Sequence, residues 1–347
     1  MNILQVTPRY PPQSGGVETH VQQISERLAA RGHMVNVLTA DAGLEGANNE
    51  RRNGVEIRRY RSFAPDETIH CCPQIAVAVR NTDVDVVHAH NYHSLPLFFA
   101  ALGVGDRQFV VTPHYHGESA SQTRDRLLSL YHPFGRWAVR KADKVIAVSD
   151  WEHKQIETDF DIESSIIPNG VDVARFSKAE PEKQEHPYLL CVGRLEKYKG
   201  IQHLIRTLPE LPSHELVVAG SGSYRDKLEQ IAAEWNVSDR VTFVGYVDSD
   251  RLSKLYAGAA AYVTLSEFEA YGMTVAEALA AGTPCVVRER GALVDWVAYD
   301  GCVGVDRMTP ERIAAAIEQC IDVNPIVDLP TWEEVTDQVE ATYTSEE

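Results

Sequence analysis

A chain of 347 residues exceeds what one ordinary hydrophobic core supports and points to two domains. With 44% hydrophobic and 8% aromatic residues it reads as a folded protein, and no apolar run approaches the roughly 18 residues that span a bilayer. A formal charge of −17 disfavours nucleic acid as a general partner, because gripping phosphate backbones needs a basic surface.

The charge is unevenly spread. Residues 1–180 carry 19 Lys+Arg against 22 Asp+Glu, whereas residues 181–347 carry 14 against 28, so the first half is nearly balanced. Only 9 of the 33 basic residues are lysines; a lysine-poor, acid-rich surface suits a very salty cytoplasm, and a halophilic source is the expectation. The start "MNILQVTPRYPP" lacks a basic segment followed by a long apolar stretch, which predicts a cytoplasmic protein. Six cysteines form no C-x-x-C pair, which argues for reduced thiols rather than a zinc ribbon or disulfide scaffold.

In chain order, "NILQV" (2–6) predicts a short strand, followed by the turn-rich "TPRYPPQSGG". Val17, Val21, Ile24 and Leu28 then recur at helical spacing until Gly32 ends the helix, and "MVNVLTA" restores a strand. "VDVVHAH", "QFVVTPH" and "KVIAVS" are β-branched runs between helical segments, as in a parallel sheet buried on both faces. The charged, proline-bounded stretch 177–186 predicts a linker. Beyond it "YLLCVG", "ELVVAG", "RVTFVG", "AAYVTL" and "PCVVRE" alternate with helices. The prediction is an α/β protein with two doubly wound parallel sheets in tandem, whose ligands bind beyond the C-terminal strand ends.

Three segments at such ends carry candidate chemistry. In "SGGVE" (14–18), Gly15 and Gly16 allow close backbone approach and the following N–H groups can hold a phosphate, although an isolated Gly-Gly is more often a plain turn. In "GRLEKYKG" (193–200), Arg194 and Lys199 can converge on one diphosphate, against the alternative of a solvated charged loop. In "EFEAYGMTVAEA" (267–278), Glu267, Glu269 and Glu277 surround a predicted helix start. The amides of Met273 and Thr274 can reach a phosphate there, and Glu277 suits the vicinal hydroxyls of a ribose. The plainer reading makes these carboxylates surface charges.

"HAHNYH" (88–93) follows a buried strand, and its His-x-His pair can ligate metal, but no further Asp or Cys ligands stand out. Hydrogen-bonding roles are preferred, with His90 near the acceptor. In residues 124–144, Arg124, Arg126, Arg136, Arg140 and Lys141 mix with Leu127, Leu128, Leu130, Tyr131, Phe134 and Trp137. Such a stretch suits an anionic membrane surface as well as it suits an ordinary core with a cationic rim, and Pro133 and Gly135 are expected to interrupt any single long helix.

Taken in order, "SGGVE", "IPNGVD", "GRLEKYKG", "FVGYV" and "EFEAYGMTVAEALAAGTPCVV" resemble the retaining nucleotide-sugar glycosyltransferases of family four, over nearly the whole chain. The resemblance implies the GT-B fold, two facing Rossmann-like domains with a cleft between them. It divides the chain into an acceptor-binding domain (1–176), a nucleotide-sugar-binding domain (177–329) and a C-terminal helix (330–347) crossing back to the first domain. It further implies a UDP- or GDP-type sugar donor, transfer of a hexosyl-type sugar to a glycan or lipid-linked acceptor, no cofactor and no required metal.

Carried over by position, Arg194 and Lys199 bind the diphosphate and stabilise the leaving group, and Gly16 gives its backbone to the same phosphate. Glu269 holds hydroxyls of the donor sugar, Gly272, Met273 and Thr274 open the phosphate-binding helix, Glu277 holds the ribose, and Tyr246 and Val247 line the base pocket. The family's histidine near the sugar falls on His114, with His116 as second choice and as an acceptor-side candidate. One departure stands out: the family's glycine pair followed by Pro-Glu reads "GALVD" (291–295) here, which leaves Asp295 without a role. A nucleotide-sugar epimerase or hydrolase on the same fold, and a non-catalytic nucleotide-sugar-binding protein, remain as alternatives. The near-neutral first half favours placing the acceptor there, and the stretch 124–144 leaves open a peripheral contact with the inner face of the cell membrane.

Overall fold

The β-branched runs become the central strands of two sheets in the computed structural model, which describes residues 1–42, 48–63, 69–117, 122–182 and 184–345; at 42 and 122–127 it describes the backbone alone. Two units divide the chain, Met1–Gly170 with Trp332–Glu347, and Val171–Thr331, each with its own buried apolar cluster.

The first unit contains β1 (Asn2–Thr7), α1 (Gly16–Ala30), β2 (Met34–Ala42), β3 (Asn48–Arg52), β4 (Val55–Arg61), α2 (Gln74–Asn81), β5 (Val86–His90), α3 (Leu95–Gly103), β6 (Gln108–Thr112), α4 (Gln122–Arg140), β7 (Lys144–Ala147), α5 (Asp150–Phe160) and β8 (Ser165–Ile166). The second contains α6 (Val173–Ser177), β9 (Tyr188–Val192), α7 (Ile201–Thr207), β10 (Glu215–Ala219), α8 (Arg225–Glu234), β11 (Val241–Gly245), α9 (Ser249–Gly258), β12 (Ala261–Thr264), α10 (Met273–Ala280), β13 (Cys285–Arg288), α11 (Leu293–Trp296), β14 (Cys302–Val305) and α12 (Pro310–Cys320). The last helix, α13 (Trp332–Thr344), belongs to the first unit.

The first sheet has the order β3-β4-β2-β1-β5-β6-β7-β8 and the second β11-β10-β9-β12-β13-β14. All pairings are parallel except β3 with β4, so the first sheet is mixed rather than purely parallel. The sequence does not flag this hairpin because "NNERR" is exposed throughout and has no apolar alternation. Besides its backbone ladder, Arg59 of β4 ties it down, pairing with Glu50 of β3 at 2.6 Å and with Asp41 of β2 at 2.8 Å. Central strands such as β5 are buried at every residue, the mark of a sheet covered on both faces.

Stretch 177–186 is not a free linker. Val171 already pairs with Thr331, α6 packs on α9 and α10, Glu182 N donates to Lys254 O at 3.0 Å, and Glu182 pairs with Arg251 at 3.0 Å. The second unit therefore starts at Val171 rather than at residue 177, because α6 buries Phe176 within it. Helix α13 packs on α1, where Arg31 pairs with Glu333, with Asp337 at 2.7 Å and with Glu340 at 2.7 Å, and His33 contacts Glu340 at 2.7 Å.

Helix α4 runs unbroken through Pro133 and Gly135, contrary to the expected interruption. One proline removes one backbone bond, a cost of about 3 kcal/mol that tertiary packing offsets here. Gly135 lets the helix lie against aromatic rings, since a Cβ there would come within 2.6 Å of Tyr92 and 2.7 Å of Tyr131. Among the described residues, no helix is long and apolar enough to cross a membrane.

Candidate functional site

Strands β9, β12 and β13 are neighbours and parallel, so their C-terminal ends share one edge of the second sheet. Beyond β9 the chain makes a 3-10 turn over Lys197–Lys199, and Lys199 Nζ lies 2.6 Å from Glu269 Oε1 in the loop after β12. The two side chains are only 18% and 21% exposed. Burial works against the Lys199 ammonium, but Glu269 foremost and the Tyr198 hydroxyl more than offset it and hold its pKa above the usual lysine value. Arg194 is exposed, and its Nη2 donates to Tyr198 OH at 2.9 Å. Tyr198 thus ties the loops after β9 and β12 together, because its backbone oxygen also accepts from Glu267 N at 2.8 Å. Glu267 in turn pairs with Arg288 at 3.1 Å.

Two loops buttress this arrangement. Gly220 (φ 132°) brings the loop after β10 against the loop after β9 so closely that a Cβ would lie 1.9 Å from Gly193 O, and Leu195 N donates to Ser221 O at 2.9 Å. On the other side, Ala292 N donates to Glu269 O at 3.1 Å, so the "GALVD" stretch holds the Glu269 backbone even without the Pro-Glu pair. Sequence reading missed the Gly220–Ser221–Gly222 buttress, whose signal is a glycine pair at a strand end.

Gly272 (φ 99°) precedes α10, and no side chain caps the helix, which leaves the amides of Met273 and Thr274 for an outside acceptor. The Thr274 hydroxyl is occupied, since Tyr262 OH donates to it at 2.6 Å. One turn on, Glu277 Oε2 accepts from Tyr256 OH at 3.0 Å. Burial pushes the Glu277 carboxyl up to about 7, against the opposing pull of the Tyr256 hydrogen bond and of Arg175. Tyr246 and Val247 follow β11 at the edge of the sheet, where Tyr246 is 75% exposed and Val247 half-buried. The second unit therefore gathers Arg194, Lys199, Glu269, the start of α10 and Glu277 along one edge, with the Tyr246 ring out in solvent.

The remaining predicted residues lie in the first unit. Gly15 and Gly16 open α1 beyond the end of β1, and a Cβ on Gly15 would lie 2.2 Å from the carboxylate of Glu18, which accepts from Arg9 Nε at 2.7 Å. His90 ends β5 and is fully buried. Its Nε2 donates to Gln5 Oε1 at 2.7 Å. His114 follows β6 in left-handed backbone (φ 47°) and is 6% exposed; His116, less buried, stacks on His93 with ring centroids 3.8 Å apart. Helix α1 adds His20, a buried neighbour that the sequence did not single out, whose Nδ1 donates to Asn169 Oδ1 at 2.6 Å. Burial lowers His20 to about 4 and takes His88, His90 and His114 well below the ordinary imidazole range, so these rings are neutral near pH 7.

On α4, Leu130 (72% exposed), Phe134 (58%) and Trp137 (44%) recur at i, i+4 and i+7 and form an outward apolar strip. Arg136, Arg140 and Lys141 adjoin it around a hollow of about 400 Å³. The side chains of Arg124, Arg126 and Leu127 lie outside the described residues.

Two family descriptions match in tandem, Glycosyltransferase Family 4 over residues 14–175 and Glycosyl transferases group 1 over residues 172–328. The chain is 30% identical to glycogen synthase of Mycobacterium tuberculosis, covering 93% of this chain and 86% of that one. Among solved structures, sucrose-phosphate synthase of Thermosynechococcus elongatus superposes with a TM-score of 0.82 at 23% identity, covering 99% of this chain and 98% of the other. Anabaena HepE, solved in complex with UDP and glucose, gives 0.79 at 19% identity with full coverage of both chains. The tandem match, the two Rossmann-like sheets and the strand-end cluster agree, and the chain belongs to the GT-B glycosyltransferases of the group 1 and family-four type.

Proposed function

We propose that this glycosyltransferase moves a hexosyl-type sugar from a nucleotide-diphosphate sugar to a glycan or lipid-linked acceptor, with retention of anomeric configuration and without a metal ion in the transfer step. The observation that carries the reading is the Lys199–Glu269 pair at 2.6 Å, set between Arg194 and the uncapped start of α10. Cleaving a glycosyl–phosphate bond builds negative charge on the diphosphate, and fixed cations and amides aimed at that charge lower the barrier. Lys199 and Arg194 are the proposed diphosphate ligands, assisted by the Gly272–Met273–Thr274 turn. When the diphosphate arrives, it shares the Lys199 ammonium, and the Glu269 carboxylate becomes available to sugar hydroxyls.

Glu277 is the proposed ribose acceptor and Tyr246 with Val247 the proposed base contact. From the first unit, Gly15 and Gly16 are proposed for phosphate, His114 for the sugar with His116 second, and His90 and His116 for the acceptor. The structural neighbour HepE was solved with UDP and glucose, which favours a nucleoside diphosphate over other anions. The strip on α4 is the proposed contact with an anionic membrane bearing a lipid-linked acceptor.

Steady-state kinetics of Lys199→Ala and Arg194→Ala test the transfer. The expected result is a fall of about 100-fold or more in kcat with nucleoside diphosphate affinity weakened far less, since these cations act mainly on developing charge. Near-normal turnover in both variants removes the assignment. A donor-only incubation is expected to leave the donor unchanged until acceptor is added; isomerised donor indicates an epimerase and free sugar a hydrolase.

A further inference from the structure

His20, His90 and His114 come from three separate elements of the first unit, α1, the end of β5 and the loop after β6, yet one ring nitrogen of each lies within 4.8 Å of the others. All three residues are buried, and His20 Nε2, His90 Nδ1 and His114 Nε2 have no hydrogen-bond partner. The opposite nitrogens of His20 and His90 are engaged: His20 Nδ1 donates to Asn169 Oδ1, and His90 Nε2 donates to Gln5 Oε1. Gln5 is itself oriented, because its Nε2 donates to Tyr343 OH at 3.1 Å. Each donation places the proton on the bonded nitrogen, so the unpartnered nitrogens of His20 and His90 are left as lone pairs in the cluster of three rings.

Unpartnered lone pairs close together in a dry interior carry an uncompensated desolvation cost, and a water molecule has only two protons to offer. A divalent transition-metal ion satisfies all three at once. Histidines that bind zinc characteristically donate their other N–H to a protein oxygen, the pattern already built at His20 and His90. The backbone around His114 is also pinned, since Pro113 O accepts from Tyr92 N at 2.7 Å and Tyr115 N donates to the buried Glu152 carboxylate. Neighbouring His88 is excluded from the set, because both its nitrogens are taken, by Tyr343 OH at 2.7 Å and Thr112 Oγ1 at 2.8 Å.

We propose that His20, His90 and His114 form a three-histidine binding site for a zinc-class divalent ion in the first unit. Tetrahedral zinc at about 2.0–2.1 Å from each nitrogen leaves a fourth position for a small oxygen ligand, and small ring rotations close the set onto the ion. Ligation through Nε2 leaves His114 Nδ1 for the proposed sugar contact. The inference goes beyond the donor chemistry of the second unit, and the two separate cleanly: Lys199→Ala, deficient in transfer, retains the metal in full.

The probes are Zn(II) and Co(II) alone, supplied while the full chain refolds from urea, with unbound metal removed by gel filtration. The expected result is about one ion per chain by elemental analysis, a higher Tm, and intense visible Co(II) bands of a four-coordinate, nitrogen-rich site. His20→Gln is expected to reduce retention to background, whereas His186→Gln, at an exposed position in the second unit, leaves it unchanged. Should His20→Gln fail to fold, Asn169→Ala keeps all three rings and is expected to weaken retention about 10–100-fold. Wild-type protein that retains no metal, weak six-coordinate Co(II) bands, or unchanged retention in a folded His20→Gln chain overturns the proposal.

Discussion

At the scale of single residues, burial disfavours the charged form of two groups in the second unit, and their partners decide the outcome. Lys199 meets a carboxylate and stays ionised, whereas Glu277 accepts from the Tyr256 hydroxyl and is held toward its neutral form at about 7. A carboxyl whose pKa is higher folded than unfolded favours the folded state while protonated. Its contribution is therefore fully present below the unfolded value of 4.5 and is lost as pH rises toward 7. Glu277→Gln removes that loss without a change of shape. In urea unfolding without nucleotide, the variant is expected to match wild type at pH 4 and to exceed it by about 1–2 kcal/mol at pH 8, a range reduced for partial solvent screening. Nucleotide affinity is expected to fall in the same variant through the loss of a ribose acceptor. Parallel stability–pH curves for the two proteins contradict the assigned burial cost.

At the scale of elements, α4 shows how one helix can face two ways. Its inner side packs Ala138, Val139 and Gly135 into the first unit, while Leu130, Phe134 and Trp137 face outward beside three cations. Phe98 supports the strip from beneath, with ring centroids 6.0 Å from Phe134 and 5.9 Å from Trp137. Basic residues near an anionic surface contribute about 1 kcal/mol each, and aromatic rings add apolar burial at the headgroup level. The full chain is expected to co-sediment with phosphatidylglycerol vesicles and not with phosphatidylcholine vesicles. Serine at Phe134 and Trp137 together is expected to abolish this, with soluble-donor binding intact. Absence of co-sedimentation with either vesicle at low salt removes the membrane contact.

At the scale of the whole molecule, the charge of −17 is repulsive and falls mainly on the second half, where 28 acidic residues face 14 basic ones. Salt shortens the range of that repulsion, to about 3 Å at 1 M from about 10 Å at 0.1 M. Tm is therefore expected to rise from 0.1 M to 1 M KCl, each kcal/mol of relieved repulsion being worth about 2–4 °C in units of this size. A Tm that falls over this range contradicts the surface argument.

What the sequence by itself determined is local and periodic. Apolar runs marked the central strands, glycines and charges at their ends marked Arg194, Lys199 and the loop before α10, and five ordered motifs marked the family. The β3–β4 hairpin stayed hidden because β3 is polar and exposed throughout, and the assignment of 171–176 to the second unit rests on packing that no composition change marks. Only the tertiary structure decided that Glu269 meets Lys199 across 70 residues of chain, and that His90 turns inward to join His20 and His114. The physical reason is that periodicity fixes which face of an element is buried. Which buried polar atoms then meet depends on strand order and helix docking, and these form only when distant segments pack together.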